Sequence, residues 1–264
     1  MLLEGLQLPL TTPFYPDGRL NLPKLEHNAA RYSKTPVAGL VALSDSGEPT
    51  MLSEEETRQA LRSVADAAAA EKVLTAGVSH DSLAGTLDLA ESAAKFGYDA
   101  VLVKRPSVFQ ARSRGDHARE LLTYFQSVAD RSALPVVLYS EAWEQTGLLP
   151  AEVVIELAGH PQIIGLVDGV SRQERLRTIK DGTAAVKRDV AVTAVFAAVT
   201  GRMQTRSENA VGLIAADRLT GGGAAVAVAP TKMAAKTRTK AVGFQILAGC
   251  TAGMLEGLRA GVVG

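Results

Sequence analysis

Tyr139 closes the apolar run Pro135-Val136-Val137-Leu138-Tyr139 and so places a phenol where a buried strand would meet a loop. A phenol there can donate a hydrogen bond or serve as a general acid or base; simple packing is the ordinary alternative. Lys104 and Arg105 stand side by side after Ala100-Val101-Leu102-Val103. Side chains alternate along a strand, so one of the two cations must face the inner side whichever parity holds. A Lys104 turned inward among valines would lose solvation, its pKa would fall, and its amine could attack a carbonyl. Otherwise both are solvated loop cations. Asp45, Glu48, Glu141, Glu144 and Asp168 lie near the ends of other apolar runs, giving an acidic rim suited to a cationic or neutral ligand, or to a divalent cation held by oxygens. The histidines, His27, His80, His117 and His160, are scattered, and only His80 follows a strand-like run, so no metal site is assigned and His80 reads as a loop residue. Thr200-Gly201-Arg202 and Thr231-Lys232 offer an anion seat of backbone amides at a helix start plus two cations. Ordinary loop chemistry explains them equally well.

The elements that would position these groups alternate regularly. Short runs rich in Val, Ile and Leu at residues 6–12, 39–43, 73–78, 100–104, 135–139, 163–167, 190–196 and 224–229 read as strands. Their near-continuous apolar character is that of parallel strands covered on both faces. Between them lie helical patterns. Ser53-Glu54-Glu55-Glu56 sets an N-cap and first-turn acids ahead of residues 57–70. Residues 82–96 stop at Gly97, residues 116–132 form a further helix, and Pro150 opens a helix over 150–158. Eight strands alternating with about eight helices is the stoichiometry of a (β/α)8 TIM barrel. A doubly wound sheet would usually carry a Gly-rich turn after its first strand, and Pro13-Phe14-Tyr15-Pro16-Asp17-Gly18 is no such turn. In a barrel, chemistry sits at the C-terminal ends of the strands. Gly221–Gly223, which precede a strand, fall at the opposite end.

Composition narrows the classes. The 264 residues carry 28 Lys plus Arg against 28 Asp plus Glu, so no electrostatic footprint for nucleic acid or membrane exists. A hydrophobic content of 47% supports a sizeable core. The single Cys250 rules out an internal disulfide framework and points to the reducing cytoplasm. Met1-Leu2-Leu3-Glu4-Gly5 lacks the basic start of a signal peptide, and the uncharged stretch 241–255 falls short of the ~20 apolar residues of a spanning helix.

Several motifs occur together. Leu10-Thr11-Thr12-Pro13-Phe14 contains a T-P-F-like opening, and Gly47-Glu48 is followed by Leu52-Ser53-Glu54-Glu55-Glu56. Thr75-Ala76-Gly77-Val78 and Gly97-Tyr98-Asp99-Ala100-Val101-Leu102-Val103 follow, then the Tyr139 strand and Ile163-Ile164-Gly165-Leu166-Val167-Asp168. As a set, they resemble the dihydrodipicolinate synthase / N-acetylneuraminate lyase family, well over residues 5–168 and thinly from there to Pro230. The resemblance implies a TIM barrel, carbon–carbon lyase or aldolase activity on 2-oxo acids, no cofactor, and Tyr139 as a catalytic residue. In that family a strand of the form I-x-G-x-K-D carries a Lys that forms a Schiff base with the 2-oxo acid. This chain has Val167 there, and an aliphatic side chain cannot form an imine.

Three further positions depart from the family pattern. Asp45 and Ser46 replace the paired Thr that hold the substrate carboxylate. An ionised Asp45 about 4 Å from a carboxylate would cost on the order of 4 kcal/mol at an effective dielectric of 20. Pro106-Ser107-Val108 lacks the family's second tyrosine, and residues 140–147, one longer than the usual pattern, lack its carboxylate-binding arginine.

The sequence therefore predicts an α/β fold, a (β/α)8 TIM barrel with a short C-terminal helical extension. One domain spans 1–264, with the barrel at about 5–231 and a helical tail at 232–264. The catalytic candidates are Tyr139 and Lys104; the ligand-binding candidates are Thr12, Ser44, Asp45, Ser46, Gly47, Val167 and Arg202. The expected ligand is a small molecule, a 2-oxo acid or a cationic or neutral relative, with no cofactor, metal, nucleic acid or membrane. A homo-oligomer stays an open alternative. Three activities remain: a divergent aldolase-type lyase without the strand-six imine, a catalytically silent ligand-binding paralogue, and a phosphate-handling barrel seated on Arg202 and Lys232.

Overall fold

A computed structural model gives the fold and describes residues 1–109, 114–141, 147–209 and 237–264. The first six strands are β1 (Gln7–Pro9), β2 (Gly39–Ala42), β3 (Val73–Gly77), β4 (Ala100–Lys104), β5 (Val136–Ser140) and β6 (Ile163–Asp168). The helices among them are α1 (Leu22–Ser33), α2 (Glu54–Ala67), α3 (Leu83–Phe96), α4 (Arg114–Arg131) and α5 (Ala151–Ala158). Beyond β6 come α6 (Gln173–Gly182), β7 (Arg188–Val192), α7 (Gly201–Asn209), β8 (Arg238–Val242), β9 (Gln245–Ala248) and α8 (Met254–Ala260). One all-parallel sheet runs β1-β2-β3-β4-β5-β6-β9, the curled sheet of a TIM barrel. Helices α1 to α6 and then α8 each pack against the next around its outside.

Local chemistry accounts for the helix boundaries. Ser53 and Glu56 form a reciprocal capping box at the start of α2. Ser82 caps α3, which ends on Gly97 in the left-handed conformation. Strands β3 and β4 are buried along nearly their whole length because both faces are covered. One apolar cluster lies between sheet and helices; a second, comprising Leu3, Val73, Ala100, Leu102, Val137, Ile164 and Leu247, fills the interior of the barrel.

The seventh strand differs from expectation. Residues 190–196 were predicted to enter the barrel, but β7 pairs antiparallel with β8 in a separate two-stranded sheet. Its residues alternate in burial, and Val190 and Val192 pack on Leu2, so β7 has one covered face rather than two. The strand beside β6 is β9, which lies within the predicted helical tail at 232–264. The barrel therefore does not end near residue 231. Residues 263 and 264 run between β9 and β1: Val263 N–H donates to Ile246 at 2.8 Å, Ala248 N–H to Gly264 at 2.7 Å, and Gly5 N–H to Val263 at 2.8 Å. The predicted strand at 224–229, with Gly221–Gly223, Pro230, Thr231 and Lys232, lies outside the described residues, as does Glu144.

Candidate functional site

Three neighbouring strands set one row of side chains at the C-terminal end of the barrel. Lys104 of β4 is the ladder partner of Tyr139 of β5, and Tyr139 is the partner of Val167 of β6. The row continues to Leu247 of β9. Tyr139 and Val167 pack against the interior cluster, and Lys104 shares the parity of Ala100 and Leu102 in that cluster. Lys104 is thus the inward member of the Lys104–Arg105 pair. Arg105 turns aside and donates to the Phe109 carbonyl.

The loop after β2 brings a carboxylate to this row. Leu43 and Glu48, both with positive φ, flank a tight 3-10 turn at Asp45–Gly47. A bulky residue in that region is strained, so the surrounding structure must hold the turn. Thr12 Oγ1 donates to the Gly47 carbonyl at 2.6 Å, and Gly77 lets the Leu43 backbone approach closely. Asp45 then accepts from two sides: Tyr139 OH donates to Oδ2 at 2.9 Å and Lys104 Nζ to Oδ1 at 3.2 Å. Lys104 also donates to Glu141 Oε1 at 3.3 Å. Their side chains are 24% (Lys104), 30% (Asp45) and 15% (Glu141) exposed, so the network is half-buried rather than a surface ion pair.

These contacts fix protonation. Burial opposes charge on Lys104, but the Asp45 and Glu141 carboxylates outweigh it and hold the amine above the ordinary lysine value. The expected lowering does not occur: the sequence showed the valines and the acidic side chains, but not that Asp45 and Glu141, 59 and 37 positions away, pair with this amine. Lys104 is an ammonium at neutral pH. Burial, and then the Asp45 charge, push the Tyr139 phenol far above its ordinary value, so it stays protonated and donates. Asp45 likewise sits between two donors, Tyr139 and Lys104.

A cavity of about 430 Å³ opens on the row, bounded by Val41, Leu102, Val137, Tyr139, Val167 and Leu247. Its polar end carries Ser44, Asp45 and Ser46, the loop after β9 adds Cys250 and Thr251, and the start of α8 adds Met254. That loop escaped sequence reasoning because the apolar run Gln245-Ile246-Leu247-Ala248 sits in a Gly-rich stretch read as tail. A second, more polar cavity of about 560 Å³ lies on the outer side of Lys104, among His80, Asp81, Arg58, Ser107 and Glu141. His80 there accepts from Ser82 N–H at 3.0 Å and organises its own loop.

Other candidates lie elsewhere. Asp168 is fully buried and accepts from Arg175 Nε at 2.6 Å, a structural pair under the β6–α6 turn. Arg202 donates to the carbonyls of Ala68 and Lys72, and Thr200 to that of Ala70, all just ahead of β3. Gly201 N–H donates to Asp99, which precedes β4. Arg202 therefore sits at the N-terminal end of the barrel, opposite the mouth, and does not join the ligand-binding candidates. The short chain between β7 and α7 carries it there once β7 leaves the barrel. Among the described residues, no group of three or more His, Cys, Asp or Glu is placed to hold a metal ion, and no helix is long and apolar enough to cross a membrane.

Residues 2–192 match the family model of the Dihydrodipicolinate synthetase family. The 4-hydroxy-tetrahydrodipicolinate synthase of Xanthomonas axonopodis pv. citri is 35% identical over 68% of this chain and 58% of its own length. The L-threo-3-deoxy-hexylosonate aldolase of Hypocrea jecorina is 34% identical over 61% of this chain and 52% of its own. The chain thus spans between half and three-fifths of the length of these curated relatives. Among solved structures, dihydrodipicolinate synthase from Acinetobacter baumannii complexed with pyruvate superposes with a TM-score of 0.62 at 24% identity, covering 68% of this chain and 60% of that one. N-acetylneuraminate lyase from Mycoplasma synoviae gives 0.57 at 21% identity, covering 67% and 58%. At these identities the two structures speak for the fold.

Proposed function

The chain belongs to the Dihydrodipicolinate synthetase family, and on that premise we propose that it is a divergent aldolase- or lyase-type barrel that binds a small carbonyl compound without forming an imine on its sixth strand. The observation that carries the reading is the row Lys104–Tyr139–Val167: the strand-six member is aliphatic, and the lysine in the row is an ammonium between two carboxylates. An ammonium is no nucleophile, but it is a good partner for a developing oxyanion.

The groups suit acid–base cleavage of a β-hydroxy carbonyl compound. Asp45 takes the proton of the β-hydroxyl, and that carbon becomes a carbonyl as the bond to the α-carbon breaks. The electron pair moves to the original carbonyl oxygen, which Lys104 and Tyr139 meet as donors. Protonation of the enolate carbon completes the balance. The reading treats the chain as one domain and requires no cofactor.

Borohydride reduction in the presence of pyruvate, followed by peptide mapping, tests it. No adduct is expected on the peptide that carries Lys104; an adduct there overturns the reading. If β-hydroxy carbonyl compounds bind but are not cleaved, and Asp45→Asn only weakens their binding, the mouth belongs to a silent ligand-binding barrel instead.

A further inference from the structure

Charge and shape at the mouth narrow the ligand beyond that reading, on which this step rests. Of the three charged groups in the network, Asp45 alone lines the cavity of about 430 Å³, while Lys104 and Glu141 line the second, more polar cavity, so the polar end of the lumen is carboxylate-lined. Arg105 is turned to a backbone carbonyl, Arg175 is paired with buried Asp168, and Arg202 is at the far end of the barrel. Among the described residues, no Lys or Arg lines the cavity of about 430 Å³.

The rest of the wall is aliphatic, with Leu102, Val137, Val167 and Leu247 facing the space. Ser44 adds a buried hydroxyl that has no hydrogen-bond partner among the described residues, on the same wall as Asp45. A buried hydroxyl without a partner is costly, and a ligand head group offering a donor would satisfy it. Each carboxylate oxygen of Asp45 makes one of the two hydrogen bonds it can accept, so Asp45 also has room for a donor.

We infer that the lumen selects a short-chain primary ammonium compound, with its charged head between Ser44 and Asp45 and its aliphatic part against Val137, Val167 and Leu247, and that it rejects 2-oxo carboxylates. A substrate of this class would be an amino-substituted carbonyl compound rather than a keto acid. A carboxylate would bring a second negative charge beside Asp45, whereas an ammonium would meet that carboxylate with the opposite charge.

The test is calorimetric titration of the wild-type chain with n-butylammonium and with pyruvate, beside amide chemical-shift mapping of the same additions. The expected result is n-butylammonium binding at least tenfold tighter than pyruvate, with shifts at Ser44, Val167 and Leu247, and an affinity at least tenfold weaker in Asp45→Asn. Pyruvate binding as tightly as the amine, or amine shifts confined to residues outside the lumen, overturns the inference. The wild-type mapping decides even if Asp45→Asn does not fold. A Lys104 adduct in the borohydride experiment would overturn the earlier reading instead, so the two failures are distinguishable.

Discussion

Tyr139 and Val167 are direct ladder partners on adjacent parallel strands, so a phenol and an aliphatic side chain look into the lumen from the same height. The row fixes what the mouth can do. A proton donor is present beside the strand-six position, an amine at that position is not, and the nearest lysine in the row is held by Asp45 and Glu141.

The turn that carries Asp45 depends on Gly77. A Cβ there would stand 2.0 Å from the Leu43 carbonyl oxygen, which no side-chain rotation relieves. Gly77→Ala must push the Leu43–Asp45 backbone outward. Overpacking of this kind costs about 1–3 kcal/mol. Denaturant unfolding should show that loss, together with weaker ligand binding at the lumen.

Asp168 and Arg175 form a pair at 2.6 Å in which the carboxylate is fully buried and the guanidinium 12% exposed. Removing one charge from such a pair leaves the other uncompensated, at about 3–5 kcal/mol. Asp168→Asn should lose stability in that range by denaturant unfolding. A loss below about 1 kcal/mol, the scale of an exposed pair, would show that Arg175 finds water instead.

Alkaline pH should weaken the fold through the same row. Lys104 and Tyr139 both have folded pKa values above their ordinary 10.5 and 10.0. Their contribution is therefore fully present below those values and is lost as pH rises from there through the raised folded values. Unfolding free energy measured across that window should fall more steeply for the wild-type chain than for Lys104→Met.

Much of the architecture was legible in the sequence, for a definite reason. Strands β2 to β6 are short continuous apolar runs bounded by turn residues, and Ser53, Ser82 and Gly97 mark helix ends by their own chemistry. The same rule failed at Val190 and Val192, a continuous apolar run in which only alternate residues are buried because β7 has a single covered face. Arg202 was misplaced with it, since a Thr-Gly-Arg sequence after an apolar run looks the same at either end of a barrel. The site was half legible. Tyr139, Asp45 and Lys104 were all recognised as chemical groups, but the hydrogen bond and the ion pair that join them span 94 and 59 positions, and no local pattern encodes a contact at that distance.

The central claim is that, among the described residues, no amine free to form an imine faces this lumen, and the most direct measurement is a site-resolved titration of Lys104. With the lysine side chains carbon-labelled at Cε and Lys104→Met assigning the signal, the Lys104 resonance should titrate above the ordinary lysine value of 10.5. It should also stay unchanged when pyruvate is added. A midpoint below that value, or a pyruvate-dependent shift to an imine signal, would contradict the account.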